Sequence, residues 1–177
     1  ATAAIAAMDA ADVTAMSTAA VASMGTDQIR ALTTGDVGQI VGLTTAQVAG
    51  LKTAQVAALT TAQVAAMQTA DLVQLDTAQI RAITTAQISA LTVNAQVAAL
   101  TSTQLDAMTS AQVAKLTTAQ VVALTTLQAA NLGTLQAAAL TTGAIAAMDV
   151  ADVAAMSTAA VAAMSTDQIR ALTTGQN

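Results

Sequence analysis

Residues 56–67 read VAALTTAQVAAM. Inside that phrase Thr60 and Gln63 stand in the frame of a capping box. There the threonine hydroxyl accepts from the N3 amide and the N3 side chain reaches back to the N-cap amide. The same frame puts Leu59 at N′ and Val64 at N4, the two positions that close as a hydrophobic staple. Two start signals thus open a helix at one residue. Thr44/Gln47, Thr84/Gln87 and Thr117/Gln120 repeat the pattern. Asp9/Asp12 and Asp149/Asp152 supply acidic versions, which also suit a helix N-terminus.

Working outward, the phrase is one eight-residue unit, LTTAQVAA, repeated along all 177 residues. With its positions counted from zero, the large apolar slot at zero runs from Met8 to Leu172 and takes all eight methionines. Two steps break the spacing, one at 33–43, where eleven residues separate Leu32 from Leu43, and one at 92–100, with Asn94 near the extra residue. Position five is Val, Ile or Leu, with Val37 assigned to it in the first irregular step. It shrinks to alanine at Ala129 and Ala137, where Leu127 and Leu135, two residues earlier, read as local compensation. A longer period lies on top: residues 5–34 match 145–174, an offset that contains both irregular steps. The chain therefore reads as a fragment of a longer array and as a single octarepeat solenoid over residues 1–177.

One continuous helix fails on arithmetic. Eight residues turn through about 800°, so position zero drifts by roughly 80° per repeat and no apolar stripe survives. Breaking at the first threonine leaves helices of about six or seven residues. These are too short to persist alone in water and hold only by packing on neighbours. Threonine and valine also suit a β-solenoid, but the period-two alternation is absent and alanine is a poor strand former. The expected fold is all-α: a compact solenoid of short helices, one per octad, two octads per coil, with alanine at positions three, six and seven admitting close backbones.

Composition narrows the function. Phe, Tyr, Trp, His, Cys and Glu are all absent, so disulfides, thiolate or imidazole metal sites and Ser-His-Asp catalysis have no residues to use. Lys52, Lys115, Arg30, Arg81 and Arg170 are scattered and the net charge is −5, a poor match for a phosphate backbone. No apolar run is long enough to cross a bilayer. Asp9/Asp12 and Asp149/Asp152 read as caps rather than calcium ligands, since calcium takes six to eight oxygens in one loop. The methionines read as core. Arg30 and Arg170 read as exposed i,i+3 partners of Asp27 and Asp167. The paired threonines raise ice binding as a distant alternative.

Residues Ala58 to Gln63, ALTTAQ, carry a resemblance that covers nearly the whole chain. The chain resembles the ALTTAQ-type octarepeats of very large bacterial surface proteins, many labelled adhesins or haem-utilisation proteins. That resemblance implies an extracellular or cell-surface array segment with an α-solenoid fold and no enzyme activity. The expected role is a structural spacer or stalk, with adhesion to a host or cell-surface ligand as the runner-up. No catalytic, cofactor or metal residue is assigned. End-to-end self-association is expected where a cut solenoid exposes its terminal face.

Overall fold

A computed structural model describes residues 2–35 and 38–175, in two compact units, Ala1–Leu91 and Thr92–Asn177. In the first unit the order is α1 (Thr2–Ala6), α2 (Ala10–Ala15), α3 (Thr18–Ser23), α4 (Thr26–Arg30), α5 (Thr45–Ala49), α6 (Thr53–Ala58), α7 (Thr61–Ala66), α8 (Thr69–Leu72), α9 (Thr77–Ala82) and α10 (Thr85–Ala90). The second opens on a π-turn, Val93–Val97, followed by α11 (Ser102–Ala107), α12 (Ser110–Val113), α13 (Thr118–Val122), α14 (Thr126–Ala130) and α15 (Thr134–Ala139). It ends with α16 (Thr142–Ala146), α17 (Val150–Ala155), α18 (Thr158–Ala162) and α19 (Thr166–Gly175). Among the described residues there is no strand.

Where threonine stands at the cap, as at Thr44, Thr60, Thr84 and Thr117, the corner is made the way the threonine frame predicts. Thr60 accepts the Gln63 amide at 3.1 Å while the Gln63 side chain accepts the Thr60 amide at 2.8 Å. Leu59 (φ −53°, ψ 141°) and Thr60 (φ −74°, ψ 160°) are both extended, so two residues suffice to end one helix and start the next. Neither needs left-handed backbone, and Gly35 is the one described residue with positive φ. Leu59 and Val64, the staple pair, are both buried.

The coil is wider than two octads. Counting segment 33–43 as one place in the series, the helices that pack together are three places apart: α4 on α6, α5 on α8, α6 on α9, α7 on α10, and in the second unit α12 on α15 and α13 on α16. Side-chain hydrogen bonds then reach four places back, as described below. Each coil thus holds three to four octads. The physical reason is that a two-octad coil would face one helix row against another, whereas here three or four helices turn positions zero, four and five toward a common axis. Val56, Leu59, Val64 and Met67 are between 1% and 5% exposed.

The same geometry corrects the reading of position three. Ala46, Ala54 and Ala62 are exposed there, so that alanine does not admit a close backbone. Leu127 (68%) and Leu135 (70%) occupy the same outward slot, while Ala129 and Ala137 stay fully buried. The leucines therefore do not compensate for the missing volume; they point away from it.

Both irregular steps are absorbed between cap and glutamine. In the first, Thr33 and Gln39 close the box across six residues: the Thr33 amide donates to Gln39 Oε1 at 2.9 Å and the Gln39 amide to Thr33 Oγ1 at 3.2 Å. Val37 lies outside the described residues, and the buried residue that follows the glutamine is Ile40, 1% exposed. In the second, Thr92 and Gln96 close the box one residue wider than usual, and the extra residue is taken up as the π-turn. The spacing from glutamine to the next position-zero leucine stays at four in both, Gln39 to Leu43 and Gln96 to Leu100.

Candidate functional site

The feature that recurs with most chemistry is the buried glutamine at N3. Its carboxamide has an acceptor and two donors, and the capping box uses the acceptor alone. The donors go elsewhere. Gln63 Nε2 donates to the Ile29 carbonyl at 2.8 Å, to Leu32 at 2.7 Å and to Arg30 at 3.2 Å, at the C-terminal end of the helix four places earlier. Gln47 does the same to Val13 and Met16, Gln55 to Val21 and Met24, and Gln87 to Val56 and Leu59. In the second unit Gln128 donates to Val97 and Leu100, and Gln168 to Ala137 and Leu140.

One side chain therefore ties the start of its own helix to the last carbonyls of a helix in the coil below. Those carbonyls lie at a helix end, where the intrahelical ladder runs out; the Ile29 carbonyl also accepts the Leu32 amide, at 3.2 Å. In a coil where Gln63 is 1% exposed, water cannot reach them. The bond is worth about 0.5–1.5 kcal/mol net, but leaving a buried donor or acceptor unmade costs about 1–3 kcal/mol. A glutamate satisfies a capping box equally well, yet it could not donate to a carbonyl, and the chain contains no glutamate. That absence is the sequence signal for this second role, which the cap frame alone does not reveal.

Aspartate stands at N3 in a few octads, with differing outcomes. Asp9 and Asp12 form a capping box, the Asp12 amide donating to Asp9 at 2.8 Å and the Asp9 amide to Asp12 at 3.2 Å, as the sequence predicts. Asp149 makes no side-chain cap bond. Its partner Asp152, 4% exposed, instead accepts the Thr126 hydroxyl at 2.8 Å from the packed helix α14. The predicted box fails there because the buried carboxylate has a closer donor on its neighbour.

Asp71 is 3% exposed, and burial raises its pKa above the ordinary carboxylate value. The octad is rearranged around it: Gln68, at the cap position, donates to the Val41 carbonyl at 2.8 Å. A raised folded pKa means the folded state holds its proton more tightly than the unfolded one. The resulting stability is complete below about pH 4 and is lost as pH rises through the folded value. Asp71→Asn is therefore expected to stabilise the first unit at pH 7 and to gain nothing at pH 3.5, read by urea unfolding at the two pH values. An equal effect at both would sink the account.

Other candidates resolve locally. Arg30 does not pair with Asp27; its Nε donates to the Ala58 carbonyl at 3.1 Å, because α6 packs on α4 and offers its C-terminal end. Arg170 does pair with Asp167, at 3.7 Å, both side chains mostly exposed. Met24, Met67, Met108, Met148, Met156 and Met164 are buried in the core. Ser102, Thr103, Asp106 and Asn131 line a shallow polar hollow with a single carboxylate. The first threonine hydroxyl of a pair is engaged as an N-cap, as at Thr44, Thr60, Thr84 and Thr117. No group of three or more acidic side chains that could hold a metal exists among the described residues. No helix there is long and apolar enough to cross a membrane.

A family model for the ALTTAQ repeat matches residues 5–40, 36–69, 64–101, 93–118 and 145–177. The stretch between the last two matches contains Leu127 and Leu135, the octads with alanine at position five. No curated protein and no solved structure matches the chain.

Proposed function

Because the chain belongs to the ALTTAQ repeat family, we propose that it is a structural spacer, a non-enzymatic stalk segment of a large secreted or surface-anchored bacterial repeat protein. One observation carries the reading. Two recurring polar groups, the N3 carboxamide and the cap hydroxyl, are spent on structure, as at Thr60 and Gln63: the hydroxyl caps its own helix and the carboxamide ties that helix to an earlier one. What the repeat makes more of, when repeated, is itself. Stability in such an array is close to a sum over neighbouring units, so length grows without a new core having to be invented.

The test is one of shape. A chain with its 140-residue superunit duplicated should keep its cross-sectional radius in small-angle X-ray scattering and increase in maximum dimension. Growth in all dimensions, as for a globule, overturns the spacer reading. A second reading, adhesion, is favoured by Leu127 and Leu135, large apolar side chains held out in solvent where the repeat otherwise has alanine. Beads coated with the chain would then adhere to host cells, and Leu127→Asp with Leu135→Asp would abolish adherence without unfolding the chain.

A further inference from the structure

Residues 26–35 and 166–175 are the same ten residues, TDQIRALTTG, yet they fold differently. In the first copy the helix stops at Arg30, Leu32 is 3% exposed, and Thr33 turns away to close the box with Gln39. In the second a single helix runs from Thr166 through Gly175, and Leu172 is only half-buried. Ten residues therefore do not determine the corner. What differs is the company: the first copy lies under a coil, and the second has no such coil among the described residues.

The covering coil is residues 39–67. Gln39 donates to Ile5 and Met8, Gln47 to Val13 and Met16, Gln55 to Val21 and Met24, and Gln63 to Ile29 and Leu32. All these acceptors are backbone carbonyls within residues 5–34. Residues 145–174 repeat that stretch with four substitutions, Ala10 to Val150, Thr14 to Ala154, Ser23 to Ala163 and Gly25 to Ser165. None removes an acceptor. Two lie where Gly42 packs: Ala154 forgoes the hydroxyl bond that Thr14 makes to the Gly42 carbonyl, and Val150, 63% exposed, adds two methyl groups where Ala10 meets Gly42 closely, so the docked coil must shift locally there. Arg170 matches Arg30, which in the covered copy reaches up to the Ala58 carbonyl of the cover.

We propose that residues 145–172 form a docking face for one further coil of octads, following in the same chain and built like residues 39–67, with glutamine at N3, Ile or Val next and Leu or Met four residues after the glutamine. The equivalent acceptors for its second, third and fourth glutamines are Val153 and Met156, Val161 and Met164, and Ile169 and Leu172. Docking replaces the helical run at 171–175 by the corner seen at 31–35 and turns Arg170 from Asp167 to the new coil. The proposal rests on the array reading above and names the segment that continues the array.

The experiment joins a copy of residues 36–91 directly after Gly175 of the full chain and follows amide hydrogen exchange. The expected result is that protection across 150–172 rises by about tenfold or more and that Leu172 shifts from helical to extended by NMR. A second version carries glutamate in the added copy at the places of Gln39, Gln47, Gln55 and Gln63, and is expected to lose that gain at pH 7. An added copy that stays exchange-competent throughout, or one that folds without protecting 150–172, overturns the docking face. So does an equal gain with the glutamate version. A natural parent gene in which no octads follow Gly175 would instead overturn the array reading and the same-chain origin of the coil, while the protection measured in the joined chain would still decide the face.

Discussion

Gln63→Glu is expected to cost up to about 4–5 kcal/mol at pH 7 and only about 1 kcal/mol at pH 4. The residue is 1% exposed, and its amide faces the carbonyls of Ile29, Arg30 and Leu32 within 3.2 Å. An ionised carboxylate there would meet acceptors on one side with nothing to give them, so the folded chain takes the neutral acid instead. Protonating a glutamate at pH 7 against an ordinary pKa of about 4.3 costs about 3.7 kcal/mol, which bounds the ionisation part of the penalty from above. The neutral acid still accepts the Thr60 amide and donates one hydrogen downward, so the residual cost is one lost bond. The sign follows from the raised folded pKa: the ionisation part of the penalty is absent below about pH 4 and grows as pH rises from there, on top of the lost bond. Chemical denaturation at both pH values measures it. A pH-independent loss would mean that the glutamine acts through its shape, and the ladder of donors would lose its energetic role.

Ile80→Ala is expected to cost about 2–5 kcal/mol in the first unit, by lost burial and the cavity left behind. Ile80 fills position five at 1% exposure. Leu127→Ala, which removes about as much side chain, is expected to change stability by less than about 0.5 kcal/mol, because that residue stands 68% exposed at position three. The pair decides whether the outward leucines take part in packing. A loss above about 2 kcal/mol for Leu127→Ala, in thermal or urea unfolding, would restore them to the core and undo the assignment of position three to solvent.

Much of the local structure was legible in residues such as Thr60, Gln63, Leu59 and Val64, because capping and stapling act over four or five residues and depend little on what lies beyond. The number of octads in a coil was not. It is set by the angles at which two extended corner residues launch the next helix, and by glutamine bonds that span about thirty residues, as from Gln63 back to Leu32. Position three was misread because an octad carries less than two turns of helix, too little for a stripe to declare which face is inside. The irregular steps, by contrast, could be located from the constant spacing of Gln39 to Leu43 and Gln96 to Leu100, with the insertion ahead of the glutamine. Arg30 shows the limit of pairing by sequence distance: Asp27 was near, but a carbonyl on the packed helix was better placed.

The carboxamide donor bonds described above, such as those of Gln47, Gln63, Gln87 and Gln168, run one way, from a later octad to an earlier one. A chain that emerges N-terminus first therefore presents each acceptor before its donor has been made. Every finished coil is a template waiting for roughly the next thirty residues, and no coil need be held open for a distant partner. Growth from a ribosome would then be stepwise, each turn locked by the one that follows, with the unfolded portion kept short at the exit.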